Sequence, residues 1–286
     1  MGRKGAPLWA WGLLLIICTG LGLCLQLNDD LLESYRIQYH SIVHNRENYC
    51  DRTSQLSKMV THVRQHVLHQ EQALEQLGQA LDNKTYQIIA LVGSSGVGKS
   101  QTAEVMLDYF PWTENVKTLS WRGPRSVHRV QSMLANLALC GQNLILIDNM
   151  TPADGQYVPV INELLRGHVE IANSTKQPHL IQLTMVLIFS MNRQQDEDVF
   201  EAELEALKQL PRTHVITYAA LEPIHLYDCI SREARIEEVQ LTDEDVEEII
   251  RGSDARWSGC KSIRSKVLLY GKPITDDKID IANPTD

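Results

Sequence analysis

Several things are scarce in this sequence, and each scarcity narrows its chemistry. Only 3 phenylalanines occur and aromatics make up 6% of the 286 residues. Apolar residues nonetheless reach 43% and charged ones 22%, a globular balance that excludes disorder, collagen and coiled coil. Basic residues are outnumbered, 27 Lys and Arg against 36 Asp and Glu, for a net charge of −9. With Arg3 and Lys4 of the N-terminal stretch set aside, the remainder holds 25 basic against 36 acidic side chains, a net of −11. So acidic a body is a poor electrostatic partner for phosphate backbones, and no nucleic acid is expected as a ligand. There is no C-x-x-C, which disfavours a zinc ribbon and a thioredoxin-like redox site. No internal repeat, low-complexity stretch or K-D-E-L-type ending is present.

What is present starts with a leader. Arg3-Lys4 precede an apolar run from Ala6 to Leu25 without an acidic residue. Residues 1–25 therefore read as a secretory signal, with Gly20 to Cys24 near its cleavage end, or as a retained signal-anchor long enough to span a bilayer. Either delivers the body to the ER lumen or beyond. Of six cysteines, Cys18 and Cys24 fall in the leader. Cys50, Cys140, Cys229 and Cys260 remain, an even set in an oxidising compartment with three pairings open. Sequons at Asn83, Asn149 and Asn173 agree with that compartment and with a glycoprotein.

The body divides by pattern. Residues 26–85 form a polar lead-in with helical spacing of Leu, Ile, Val and Met, lacking Pro and Gly from Leu27 to Leu77, and two or three helices are expected. Residues 86–220 alternate short β-branched runs (Tyr86–Val92, Val116–Trp121, Asn143–Ile147, Leu183–Phe189, His214–Tyr218) with helical stretches near Ser100–Tyr109, Val127–Leu139, Pro159–Leu165 and Asp196–Leu210. Such alternation predicts an α/β fold with a parallel sheet covered on both faces by helices. From Leu221 strands are expected to stop. Residues 221–270 read as a small helical lid, with helices over Ile224–Glu238 and Asp243–Arg251 and Thr242 as N-cap of the second. Residues 271–286 are a polar tail.

The chemistry-bearing motif is Gly93-Ser94-Ser95-Gly96-Val97-Gly98-Lys99-Ser100, a full G-x-x-x-x-G-K-[ST] directly after an apolar strand. Its glycines let backbone N–H groups wrap a phosphate, and the helix that follows offers its positive end. Lys99 would reach the β- and γ-phosphates of ATP and the Ser100 hydroxyl would ligate Mg²⁺. Asp148, closing the strand Asn143–Ile147, is the expected second holder of the metal, partly through water. In hydrolytic AAA+ enzymes a glutamate comes next. Asn149 stands there, and an amide cannot accept a proton, so general-base chemistry is compromised. Asp154 and Glu163 are substitutes that nothing in their spacing singles out. Asn192, at the tip of the strand Leu183–Phe189, is placed to sense a γ-phosphate. Arg212, between a helix and a strand, stands where oligomeric ATPases carry an arginine finger, although a solvated arginine is the plainer reading. His62, His66 and His69 share metal-like helical spacing, as do His40 and His44, but no Cys or acid cluster completes a site, so they read as surface residues.

Together the leader, helical lead-in, P-loop, Asp148, Asn192, helical lid and the segment Ser258-Gly259-Cys260-Lys261 resemble the torsin family of AAA+ ATPases over about residues 45–270. The segment Leu221–Cys229 also looks like the start of a torsin lid. The resemblance implies a P-loop AAA+ parallel sheet with a small C-terminal lid. It implies disulfides Cys229–Cys260 and Cys50–Cys140 and a nucleotide-sensing role for Lys261. It implies residence in the ER and nuclear-envelope lumen, a membrane-anchored lumenal activator, protein or membrane clients, and homo- or hetero-oligomers. Two positions depart from the family: Ser100 follows the P-loop lysine where torsins carry Asn, and Asp148-Asn149 replaces Asp-Glu. The expected function is ATP binding with weak or activator-dependent hydrolysis. The alternative is a pseudo-ATPase acting as a nucleotide-gated scaffold. A P-loop kinase or sulfotransferase would need a basic clamping lid that the sequence lacks. The lid disulfide reads first as structural, with coupling of redox state to ATP binding through its reduction as the alternative.

Overall fold

The computed structural model describes residues 35–44, 49–50, 56–81, 86–138, 140–174 and 182–274. The leader, the Asn83 sequon and the polar tail from 275 onward lie outside them. The chain clusters into two units, Met1–Arg52 and Thr53–Asp286. In the first, residues 35–43 are helical, and His40 and His44 stack in parallel with Tyr49, the His44 and Tyr49 rings 3.9 Å apart.

The second unit is built on five parallel strands: β1 (Tyr86–Ser94), β2 (Val116–Ser120), β3 (Gln142–Met150), β4 (Gln182–Met191) and β5 (His214–Thr217). Their order is β2-β3-β4-β1-β5. β1 lies between β4 and β5, in register from Tyr86 opposite Leu183 to Ser94 opposite Met191. Burial on both faces explains why β1, β3 and β4 read as nearly unbroken apolar runs. Ile88, Ala90 and Val92 face one core with Ile145, Ile147, Met185, Leu187 and Phe189. Beside this core the buried Asn143 bonds the Ala138 N–H and C=O and the Gln182 carbonyl.

Helices α1 (Lys58–His66) and α2 (Glu71–Leu81) precede the sheet. In α2 Ala73, Leu74, Leu77, Ala80 and Leu81 are buried, the spacing of one helix face. Crossovers α3 (Lys99–Asp108), α4 (Ser126–Ala135), α5 (Val158–Ser174) and α6 (Glu197–Lys208) cover the strands. The lid holds α7 (His225–Ile236), α8 (Asp243–Arg251) and α9 (Ile263–Tyr270). The N-terminus of α8 is set by Thr242, whose hydroxyl accepts the Asp245 N–H while the Asp245 carboxylate accepts the Thr242 N–H.

Three expectations need correction. α5 runs well past Leu165, through Gly167, because Val169 packs against the core and offsets the roughly 1 kcal/mol a mid-helix glycine costs. Strands do not stop at Leu221: β6 (Val239–Gln240) and β7 (Lys272–Pro273) pair antiparallel across the lid, each too short to show alternation in sequence. His69 does not share a helix face with His62 and His66. Helix α1 ends at its extended cap Val67, and His69 lies beyond it with φ 57°.

Candidate nucleotide-binding site

The cradle lies at the carboxyl end of β1, between β4 and β5, and at the start of α3. Its glycines are required by what presses on them. Gly96, at φ 74°, packs so closely under the lid that a Cβ would lie 2.6 Å from the Ser258 carbonyl carbon. At Gly98, φ 101°, a Cβ would meet Val67 Cγ1 at 2.7 Å. The Cys260 N–H donates to the Gly96 carbonyl at 3.1 Å. The turn Ser258-Gly259-Cys260 therefore sits directly on the phosphate loop.

Lys99 opens α3 and is only 4% exposed. Its Nζ donates to the carbonyls of Gly93, at 2.9 Å, and Ser94, at 2.5 Å. Burial lowers its pKa to about 8, Asp148 pulls it up, and Lys261 pushes it down. The charges of Lys99, Asp148 and Lys261 are thus felt at one place. Ser100 is exposed on the first turn of α3. Asn192 follows Met191, which pairs with Ser94, so the end of β4 delivers it beside the cradle. Its Oδ1 accepts the Gln194 N–H at 2.9 Å.

The end of β3 is irregular. Its register with β4 shifts between Ile147 and Met150. Asp148 Oδ1 accepts the Asn149 N–H at 2.6 Å. Asn149 adopts φ 64° and donates through Nδ2 to Ser120 Oγ on β2 at 2.8 Å. Asparagine is among the few residues that tolerate this left-handed conformation. Neither substitute carboxylate is unengaged. Asp154 accepts Trp121 Nε1 on one oxygen, and the Thr151 N–H and hydroxyl on the other. Glu163 pairs with Arg166 on the exposed face of α5.

The lid is fastened by a covalent bond and by the lead-in. Cys229 of α7 and Cys260 of the turn are joined in a disulfide, with Cα atoms 6.0 Å apart. Arg232 donates to the His66 carbonyl. His69 Nε2 meets Asp228 Oδ2 at 2.8 Å, and its ring stacks on His225 at 4.0 Å. Gln70 exchanges two hydrogen bonds with the backbone of Ala219, both 2.9 Å, where β5 leads to the lid. Cys50 lies in the first unit and Cys140 in the second, and their pairing stays an expectation of the resemblance. Among the described residues no group of three or more His, Cys, Asp or Glu could hold a metal ion, and no helix is long and apolar enough to cross a membrane.

Arg212 is exposed in the turn before β5 at φ 49°. β5 pairs with β1 from His214 opposite Ile89, so Arg212 stands at the opening end of the sheet, roughly 20 Å of strand from the cradle. It does not reach the phosphate loop of its own chain. The sequence alone gave no sign of the parts played by Val67 and Ser120, nor that Ser258 and Gly259 would press on Gly96. The Ser-Gly-Cys-Lys tetrapeptide marks the segment but not this contact.

The cradle fits a nucleoside triphosphate with Mg²⁺: glycines where side chains would collide, a buried lysine whose charge an anion would stabilise, and hydroxyl and carboxylate oxygens for a hard cation. No protein-family model matches the chain, and no curated protein matches it. Solved structures similar to it include the RuvB Holliday junction branch migration motor of Thermotoga maritima, at 17% identity over 75% of this chain and 70% of that one, TM-score 0.47. Another is Cdc6p from Pyrobaculum aerophilum, at 13% identity over 73% and 62%, TM-score 0.45. Domain III of the replication initiation protein DnaA from Thermotoga maritima is a third, at 14% over 70% and 82%, TM-score 0.42. The fold class itself rests on this chain's own architecture: a five-stranded parallel α/β sheet with flanking helices and a phosphate-loop motif at the end of β1.

Proposed function

We propose that this chain is a torsin-like AAA+ ATP-binding protein of the ER and nuclear-envelope lumen that acts on protein or membrane clients and holds ATP far better than it hydrolyses it. The observation that carries the reading is the end of β3, where the residue expected to activate water is Asn149, fixed to Ser120 in a left-handed conformation. Mg²⁺ with ATP would supply neutralisation of the β- and γ-phosphate oxygens. Around it, Gly93 to Gly98 would offer backbone N–H groups, Lys99 would neutralise charge, Ser100 and Asp148 would hold the cation, and Asn192 and Lys261 would sense the terminal phosphate. A water attacking that phosphate needs a proton acceptor, and neither Asp154 nor Glu163 is unengaged. Turnover then depends on a group brought in by a membrane-anchored activator. Without one, the chain is a pseudo-ATPase whose lid closure is set by ATP, and Asn149 favours this second reading when the chain is alone. The lid disulfide and the contact of Ser258-Gly259-Cys260 with the phosphate loop support the torsin-like assignment.

Asn149→Glu tests the reading. A restored base is expected to raise ATP hydrolysis by about 10²-fold or more. The same variant should lose about 1–2 kcal/mol of stability, because glutamate pays for the left-handed backbone that asparagine tolerates. Unchanged hydrolysis in a folded, ATP-binding variant would mean that the missing carboxylate is not what limits turnover and would overturn the proposal.

A further inference from the structure

Glu197 begins α6, five residues after Asn192, and each of its carboxylate oxygens receives a different arginine. Oε1 takes Arg193 Nη1 at 3.1 Å and Oε2 takes Arg256 Nη2 at 2.6 Å. Arg193 is the residue next to Asn192. It is mostly buried, with its guanidinium 4.1 Å above the ring of Phe200, itself in the core. The sensor loop therefore meets Glu197 through a fixed side chain. Arg256 comes from the lid. Its turn is held by Asp254, whose Oδ1 accepts the N–H groups of Arg256 and Trp257 and whose carbonyl accepts the Ser258 hydroxyl. The next residues lie on Gly96, and Lys261 follows.

An acidic residue in the first turn of a helix is ordinarily accounted for by the helix dipole, and an i, i+4 pair such as Arg193–Glu197 by local support. Neither accounts for Arg256, which crosses 59 residues to join the lid to the core at this carboxylate. We propose that Glu197 is a positioning residue: it sets the lid, and with it Lys261, against Asn192 around the terminal phosphate of bound ATP. The inference rests on the ATP-binding reading above and names the contact that makes the site respond to the third phosphate. Arg256 and Glu197 are both more than half exposed. A pair that open is weak enough to be made and broken as the lid moves.

The experiment measures affinities of the full chain for Mg²⁺·ATPγS and Mg²⁺·ADP by titration calorimetry in wild type, Glu197→Gln, Arg256→Gln, the double variant and Arg256→Lys. Each single Gln variant is expected to weaken ATPγS by about three- to fivefold, the range open to an exposed ion pair, with ADP affinity unchanged. The double variant should be no weaker than either single, Arg256→Lys should keep most of the affinity, and unfolding midpoints should stay within about 2 °C of wild type. Equal weakening of ADP and ATPγS, additive losses, or no loss at all would overturn the proposal. Failure of the wild type to bind ATPγS would overturn the ATP-binding reading itself, a different result from any of these.

Discussion

Gly259→Ala probes the seat of the lid without changing any residue of the phosphate loop itself. Gly259 sits at φ 51°, and a Cβ there would lie 2.6 Å from the Gly96 carbonyl carbon. The left-handed backbone alone costs an alanine about 1–2 kcal/mol. Relieving the collision lifts the turn and takes the Cys260–Gly96 hydrogen bond with it, worth about 0.5–1.5 kcal/mol more. The expected loss is roughly 1.5–3.5 kcal/mol, or about 3–14 °C in the unfolding midpoint for a unit of this size. Gly123→Ala is the internal control. Gly123 also has positive φ, 77°, but nothing lies within 4 Å of its would-be Cβ, so it pays only the backbone cost. Calorimetry of both variants with the disulfide intact, alongside ATP titration, separates the two contributions. Gly259→Ala should be the less stable of the pair and should bind ATP more weakly, while Gly123→Ala binds normally. If the two variants melt together and bind ATP alike, the lid turn does not bear on the phosphate loop and the account of the site fails.

Three further outcomes follow from the same geometry. Lys99 is pushed down to about 8 by burial, and a bound phosphate would raise it again. ATP affinity should then fall as pH rises above about 8 and proton uptake should accompany binding there, whereas Lys99→Arg should show a flat profile. The same depression makes the nucleotide-free fold gain stability as pH rises from about 8 toward 10, because the unfolded chain keeps the proton longer, and urea unfolding across that range reads the slope. Reducing the Cys229–Cys260 bond, which spans 31 residues, should cost about 3–4 kcal/mol and weaken ATP binding through the Cys260–Gly96 contact. Equal ATP affinity in oxidised and reduced protein would separate redox state from nucleotide binding.

Much of the fold was legible because its signals are local. β1, β3 and β4 announce themselves as apolar runs because both their faces are covered, and the phosphate loop is a contiguous octapeptide at the end of one of them. Thr242 and Asp245 mark the start of α8 by their spacing alone. The two-residue strands Val239–Gln240 and Lys272–Pro273 escape such reading because each is too short for periodicity and its partner is remote in sequence. His69 misled because its spacing from His62 and His66 is helical, while the extended cap at Val67 ends the helix before it. At the site, Asn149 could be read as the wrong residue for a base, but its bond to Ser120 and the full engagement of Asp154 are long-range contacts. The meeting of Glu197 with Arg256 is of the same kind: only the folding of the lid onto the core brings them together.

The most direct test of the central claim is a paired measurement on the full chain with Mg²⁺: equilibrium binding of ATP and release of phosphate from it, with Lys99→Ala as the blank. Saturable binding, with phosphate release by the chain alone no faster than the blank, is the predicted result. Sustained turnover by the chain alone would contradict a site that holds ATP for want of a base, and absence of binding would contradict the nucleotide site itself.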